Sequence, residues 1–238
     1  MDSYELYAKA ELARWQAKMM KGPGLFSKLS KKTQDKMNAL IPEKVHKAVT
    51  VVIKQMIRAV LFGAKYTTAK PSVGLSLLER ELVVKEKIKF YRSTAAVEGG
   101  ITGAGGFFLG LADFPLLLTI KLKLLYEIAG VYGFDLNAYQ ERVYLLHIFE
   151  LAFSSRRHSR DIYQKIADWE RSSATLPDDI NQFNWRKFQQ EYRDYIDLAK
   201  MAQLLPVVGA PVGIIANYTL IKKLGTTAMN AYRMRLLS

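Results

Sequence analysis

The sequence predicts an all-α protein: a single helical domain with two close-packed, Gly/Pro-rich helical hairpins and a basic amphipathic N-terminal helical layer. Three observations carry this. Apolar residues recur every three or four positions, and no alternating run lies between hairpin turns. Gly and Pro punctuate the pattern at intervals suited to helices. At 238 residues and 50% hydrophobic composition, the chain has ample material for a core.

The elements follow in order. A first helix covers about residues 3–20 and ends at Gly22-Pro23-Gly24. Leu25–Leu40 is short, amphipathic and lysine-rich. Composition marks residues 1–40 as a basic N-terminal helical segment and 41–238 as the main helical domain. Pro42 suits the first turn of the next helix and Gly63 its end. Val45, Ala48, Val49, Val52, Ile53, Met56, Ile57, Val60 and Leu61 form its apolar stripe, with Lys47, Lys54 and Arg58 opposite. Such a helix either packs on a core with a solvated back or lies on an anionic membrane. Tyr66–Ser76 reads as a loop, and a helix runs from Leu77 to Ala96.

Next comes the most unusual stretch. Gly99, Gly103, Gly106 and Gly110 fall at steps of four, three and four, which on a continuous helix is one face. Gly costs about 1 kcal/mol relative to Ala in a helix interior, so the stripe implies close helix packing, either within a soluble core or in a hairpin pair that dips into a membrane. From Gly99 to Ile120 the only charge is Asp113. With Asp113 and Pro115 near its middle, the stretch is expected to be two helices meeting at Asp113-Phe114-Pro115, the second over Leu116–Val131 and ending near Gly130 or Gly133. Lys121 and Lys123 lie on that second helix.

Asp135 or Asn137 is expected to cap a helix running to about Ser155, with Leu136, Tyr139, Val143, Leu146 and Phe149 facing inward. A short helix over Asp161–Arg171, a loop over Ser172–Phe183 and a helix over Trp185–Leu204 opened by Asn184 complete this part. A second uncharged stretch, Met201 to Ile221, carries Gly209, Gly213 and Asn217 at steps of four, with Pro206 before them and Pro211 between the two glycines. It is expected to form the second hairpin, over Leu204–Tyr232.

The formal charge is +13, unevenly spread. Residues 1–92 carry 19 Lys/Arg against 8 Asp/Glu, and residues 93–238 carry 16 against 14. An N-terminal basic excess calls for an anionic partner. The sequence has no cysteine, which excludes disulfides, thiolate metal sites and cysteine nucleophiles, and suits a reducing cytoplasm. The N-terminal residues lack an apolar core of the secretory type, so no signal peptide is expected.

Candidate sites are few. Asp113 is the lone acid of its apolar stretch, so it is either a helix cap or a member of a pocket with Glu98 and Asn217. Gly103-Ala104-Gly105-Gly106 lacks the Gly-Lys-Ser/Thr ending of a nucleotide loop and has no preceding strand. His46, His147 and His158 do not assemble a ligand set; His147 and Glu150 make one i, i+3 pair, and no metal is expected. The Arg156-Arg157-His158-Ser159-Arg160 cluster reads as a solvated helix end, without the interleaved aromatics of a nucleic-acid site. No catalytic residues, cofactor or nucleic-acid partner are expected.

Three groups of residues resemble the EcsC family. The first is Glu98-Gly99-Gly100 with its following glycines, then Ala112-Asp113-x-Pro115, then Ile128-Ala129-x-x-Tyr132-Gly133-Phe134-Asp135. The others are Glu141-Arg142 and Pro206-Val207-Val208-Gly209-Ala210-Pro211-Val212-Gly213 with Asn217. The resemblance covers residues 40–235. It implies a bacterial accessory protein beside an ABC exporter built of an ATPase and a membrane subunit, and it carries over no catalytic residues. The expectation is therefore a non-enzymatic, membrane-peripheral binding protein. It would sit at the cytoplasmic face of the membrane, with the anionic membrane surface and an ABC transporter ATPase or membrane subunit as partners. The alternatives are a hydrolase acting on a lipid or peptide near Glu98, Asp113 and Asn217, and a soluble adaptor docking on a partner protein.

Overall fold

The computed structural model describes residues 2–21, 43–62, 71–104, 106–154, 158–184, 186–188 and 210–237, and for residues 43–49, 62, 96–104, 106–114 and 210–216 the backbone alone. The described elements are helices: α1 (Ser3–Met20), α2 (Glu43–Phe62), α3 (Leu77–Ala104), α4 (Gly106–Tyr132), α5 (Tyr139–Phe153), α6 (Ser159–Ala167), α7 (Trp169–Ala174) and α8 (Ala210–Leu237), with a single 3-10 turn at Ile180–Gln182. The fold is all-α, as periodicity predicts.

Local chemistry explains several boundaries. The Asp2 carboxylate accepts from the Glu5 amide at 2.7 Å and Glu5 accepts in return from the Asp2 amide at 3.0 Å, a reciprocal cap that starts α1. In α2, Ile53, Met56, Ile57, Val60 and Leu61 are buried while Lys54 and Arg58 face solvent, as expected. Gly133, at φ +91, ends α4. Its amide donates to Gly130 and that of Phe134 to Ala129, both at 3.0 Å, which closes the last turn in the way glycine permits.

Two expectations are corrected between residues 99 and 135. The chain does not reverse at Asp113–Pro115; α4 runs through Pro115 without a break. Cross-links between α3 and α4 show where it does reverse. Arg80 Nη1 donates to the Val131 carbonyl at 2.8 Å, and Lys87 and Tyr91 reach the Glu127 carboxylate at 2.8 and 2.6 Å. The two helices are thus antiparallel, the first ending at Ala104 and the second starting at Gly106. One proline inside a helix costs about 3 kcal/mol, a cost that packing of α4 against α3 can carry, and glycines at Gly103 and Gly106 flank the end of one helix and the start of the next with little steric cost. The four-glycine stripe is therefore divided: Gly99 and Gly103 belong to α3, Gly106 and Gly110 to α4. Gly213 lies on α8; Gly209 and the first arm of the second expected hairpin lie outside the described residues.

Helix α5 is the centre. Every residue from Arg142 to Phe153 is buried, including Val143, Leu146 and Phe149. Neither Asp135 nor Asn137 caps it: Ala138 holds that position without a side-chain bond, and the Asp135 carboxylate accepts from the Asn137 amide at 2.9 Å within the preceding turn. The buried Arg142 joins the neighbouring ends instead, donating from Nε to the Leu61 carbonyl in the last turn of α2 at 3.0 Å and from Nη1 to Leu136 and Asn137. The single short helix expected over Asp161–Arg171 is broken at Asp168 into α6 and α7, because Trp169 turns inward and rests on Tyr144 at a ring distance of 4.9 Å. Helix α7 also takes up the start of the expected loop, to Ala174. Asn184 accepts from the Lys187 amide at 3.1 Å as a helix opener, and most of the helix expected beyond it lies outside the described residues.

Helix α8 packs along α3 and also touches α1, α4 and α5. α8 and α3 meet tightly at Gly225, where a Cβ would stand 2.5 Å from both Cγ1 and Cδ1 of Ile88. Gly225→Leu is expected to lower stability by about 2–3 kcal/mol, because overpacking must push α3 and α8 apart. A drop in the urea midpoint at unchanged m-value checks this.

Candidate functional site

Of the residues singled out for a pocket, Asn217 is the one whose side-chain surroundings are described. It is fully buried on α8, and its Oδ1 accepts from Lys121 Nζ of α4 at 3.0 Å. Lys121 also donates to the Leu117 carbonyl at 3.2 Å and is itself fully buried. Loss of hydration pulls the Lys121 ammonium down to about 7. Glu98 lies near the C-terminal end of α3 and Asp113 two turns before Lys121 on α4; their side chains are outside the described set. Lys121 was legible in the sequence as a member of the stripe Leu117, Lys121, Leu124, Ile128, the single charge at helical spacing among buried apolar positions.

A larger feature opens where α1, α3 and α8 meet. It is a groove of about 540 Å³. Each helix contributes one face: Glu11, Arg14 and Trp15 from α1; Lys85, Ile88, Lys89 and Arg92 from α3; Lys222, Thr226 and Met229 among others from α8. Arg233 also lines it. That guanidinium forks onto Glu81, with Nε to Oε1 at 2.6 Å and Nη2 to Oε2, and reaches Glu11 at 3.1 Å. Burial alone would lower the Arg233 pKa, yet its bonds to Glu81 and Glu11 hold it above the ordinary value. Tyr4 donates to Glu81 at 2.6 Å and is pushed up to about 12 by burial and by that carboxylate.

The remaining cations have no such partners. Among the described residues, none of Arg14, Lys85, Lys89, Arg92 and Lys222 forms an ion pair with a carboxylate. Lys85 leans on Tyr4, its Nζ 3.2 Å from the hydroxyl and 5.6 Å from the ring centre. Arg92 lies 3.7 Å above the Tyr218 ring, and its buried Nε has no hydrogen-bond partner among the described residues. Sequence reasoning missed this groove because its cations come from positions 14 to 222 on three helices. The local signal was the i, i+4, i+7 spacing of Lys85, Lys89 and Arg92 within the basic N-terminal portion.

The other candidates resolve into structural roles or stay outside the description. Lys54 and Arg58 are exposed on α2; Lys47 is on the same helix, its side chain undescribed. His147 pairs with Glu150 at 2.9 Å in the core, edge-on to Trp169 and Phe188. No group of three His, Cys, Asp or Glu among the described residues can hold a metal. Glu141 binds Arg235 in a fork at 2.6 and 2.8 Å. Arg156 and Arg157 lie outside the described residues. No described helix is long and apolar enough to cross a membrane.

Comparison with known proteins places these features in context. A family model described as the EcsC protein family matches residues 7–237. The chain is 44% identical over 228 residues to Protein EcsC of Bacillus subtilis (strain 168), an alignment covering 95% of this chain and 94% of that protein. It is 26% identical over 248 residues to the uncharacterized protein YdbA of the same organism, covering 94% and 90%. No solved structure matches.

Proposed function

Because this chain belongs to the EcsC protein family, we propose that it is a non-enzymatic, membrane-peripheral accessory protein. In this reading it is held by charge at the anionic cytoplasmic face of the membrane and serves a bacterial ABC exporter. The observation that supports the reading is the division of α2, with Lys54 and Arg58 exposed opposite the buried Ile53, Met56, Ile57, Val60 and Leu61. Those five side chains are spent on the protein core, so what the outer side of this helix offers a membrane is chiefly charge. Attachment through such a face is electrostatic, worth about 1 kcal/mol per near-surface Lys or Arg, and is screened by salt.

Co-sedimentation with vesicles tests it. Vesicles of phosphatidylglycerol and phosphatidylcholine are expected to bind the protein at 50 mM NaCl and release it at 500 mM, while pure phosphatidylcholine binds it at neither. Lys54→Glu together with Arg58→Glu is expected to weaken binding by roughly tenfold or more. Absence of low-salt binding to the anionic vesicles would overturn the reading. Pull-down of an exporter ATPase or membrane subunit from bacterial membranes tests the partner.

A further inference from the structure

We propose that the groove between α1, α3 and α8 binds a single phosphate-headed amphiphile, an anionic phospholipid whose phosphate meets the cations and whose first methylenes lie on the apolar floor. The inference rests on the membrane-peripheral reading and adds to it a defined site for one lipid.

Charge comes first. Glu11, the acid in the groove wall, is already bound to Arg233 at 3.1 Å and to the Tyr7 hydroxyl at 2.8 Å. Lys85 shares the field of Glu11, whereas Arg14, Lys89, Arg92 and Lys222 line the same concavity with no carboxylate ion pair among the described residues, an arrangement that concentrates positive potential and favours an anion. Arg92 is held ready for it. Stacking on Tyr218 fixes the guanidinium plane, and its Nε–H is buried without an acceptor among the described residues. A guanidinium held in one plane meets a phosphate in the forked geometry that such groups favour.

Shape and polarity then select the ligand. Trp15, Ile88 and Met229 line the same space. An inorganic anion would leave that apolar surface wet, whereas a lipid would cover it. About 540 Å³ suits a headgroup with a short length of chain.

The test uses dihexanoyl phosphatidic acid below its micelle-forming concentration, titrated into the full chain by calorimetry. One saturable site is expected. Lys89→Ala with Lys222→Ala, both exposed positions, should weaken it at least tenfold with the unfolding midpoint unchanged, and Arg92→Ala should do so alone. Dihexanoyl phosphatidylcholine and inorganic phosphate should each bind at least tenfold more weakly. Lack of saturation, indifference to these substitutions, or equal binding of phosphatidylcholine overturns the site. Equal binding of inorganic phosphate overturns the lipid as its source. Vesicle binding that depends on Lys54 and Arg58 but comes without groove saturation sinks this inference alone. Groove saturation without vesicle binding sinks the peripheral reading.

Discussion

Glu81→Ala is expected to cost about 3–5 kcal/mol, a large share of the stability of a domain this size. Glu81 is fully buried and Arg233 is 3% exposed, so removing the carboxylate leaves a guanidinium charge away from water with only the half-exposed Glu11 beside it. The loss extends past one pair. Tyr4 from α1, Glu81 from α3 and Arg233 from α8 meet at this point, and Tyr4 loses its acceptor at the same time. Urea unfolding should show the drop, and amide exchange should show α1 opening first, since only Ala8 and Leu12 of that helix are buried. Glu81→Ala combined with Arg233→Met should recover most of the loss, because an apolar pair avoids the buried charge. If the single substitution costs less than about 1 kcal/mol, the ion pair does not hold these helices together.

The second large effect is a rise in stability with pH that belongs to Lys121. In the unfolded chain this ammonium titrates at the ordinary 10.5; in the folded protein burial brings it down to about 7. Below pH 7 both states hold the proton and the full cost of burying the charge is present. Between 7 and 10.5 the unfolded state binds more protons, so stability climbs with pH. From pH 7 to 9 the gain is about 2 kcal/mol. The upper bound of the window matters, because Tyr126, pushed up to about 12 by burial, begins to oppose folding above its ordinary value near 10. Lys121→Met should abolish the rise, so its stability relative to the parent should shift by about 2 kcal/mol between the two pH values. A parent protein whose stability is level from pH 7 to 9 would show that Lys121 keeps its proton through that range.

The two predictions differ in how much the sequence could foresee. Lys121 could be picked out from the period of its own helix, as a charge at a buried position, although its partner Asn217 is 96 positions away. Glu81 and Arg233 gave no such hint, because a carboxylate on one amphipathic helix and a guanidinium on another are ordinary solvated groups until packing removes the water. The chain reversal between α3 and α4 is a third kind of case. From the sequence it is expected at Asp113–Pro115, on the strength of one proline and one acid. Bonds from Arg80, Lys87 and Tyr91 to the far end of α4 hold the two helices antiparallel, with α3 ending at Ala104 and α4 starting at Gly106.

What the sequence alone determined is whatever depends on neighbours within a turn or two. That includes the all-α class, the bounds of α1 and α2, the glycine end of α4 and the inward stripe of α2, because caps, backbone preferences and the 3.6-residue period act over that range. Tertiary structure decided the reversal point, the burial of Glu81, the pairing of Lys121 with Asn217, and the gathering of cations from three helices into one groove. Each depends on which distant surfaces exclude water from one another, and the energy of a charge is set by that exclusion and not by its place along the chain.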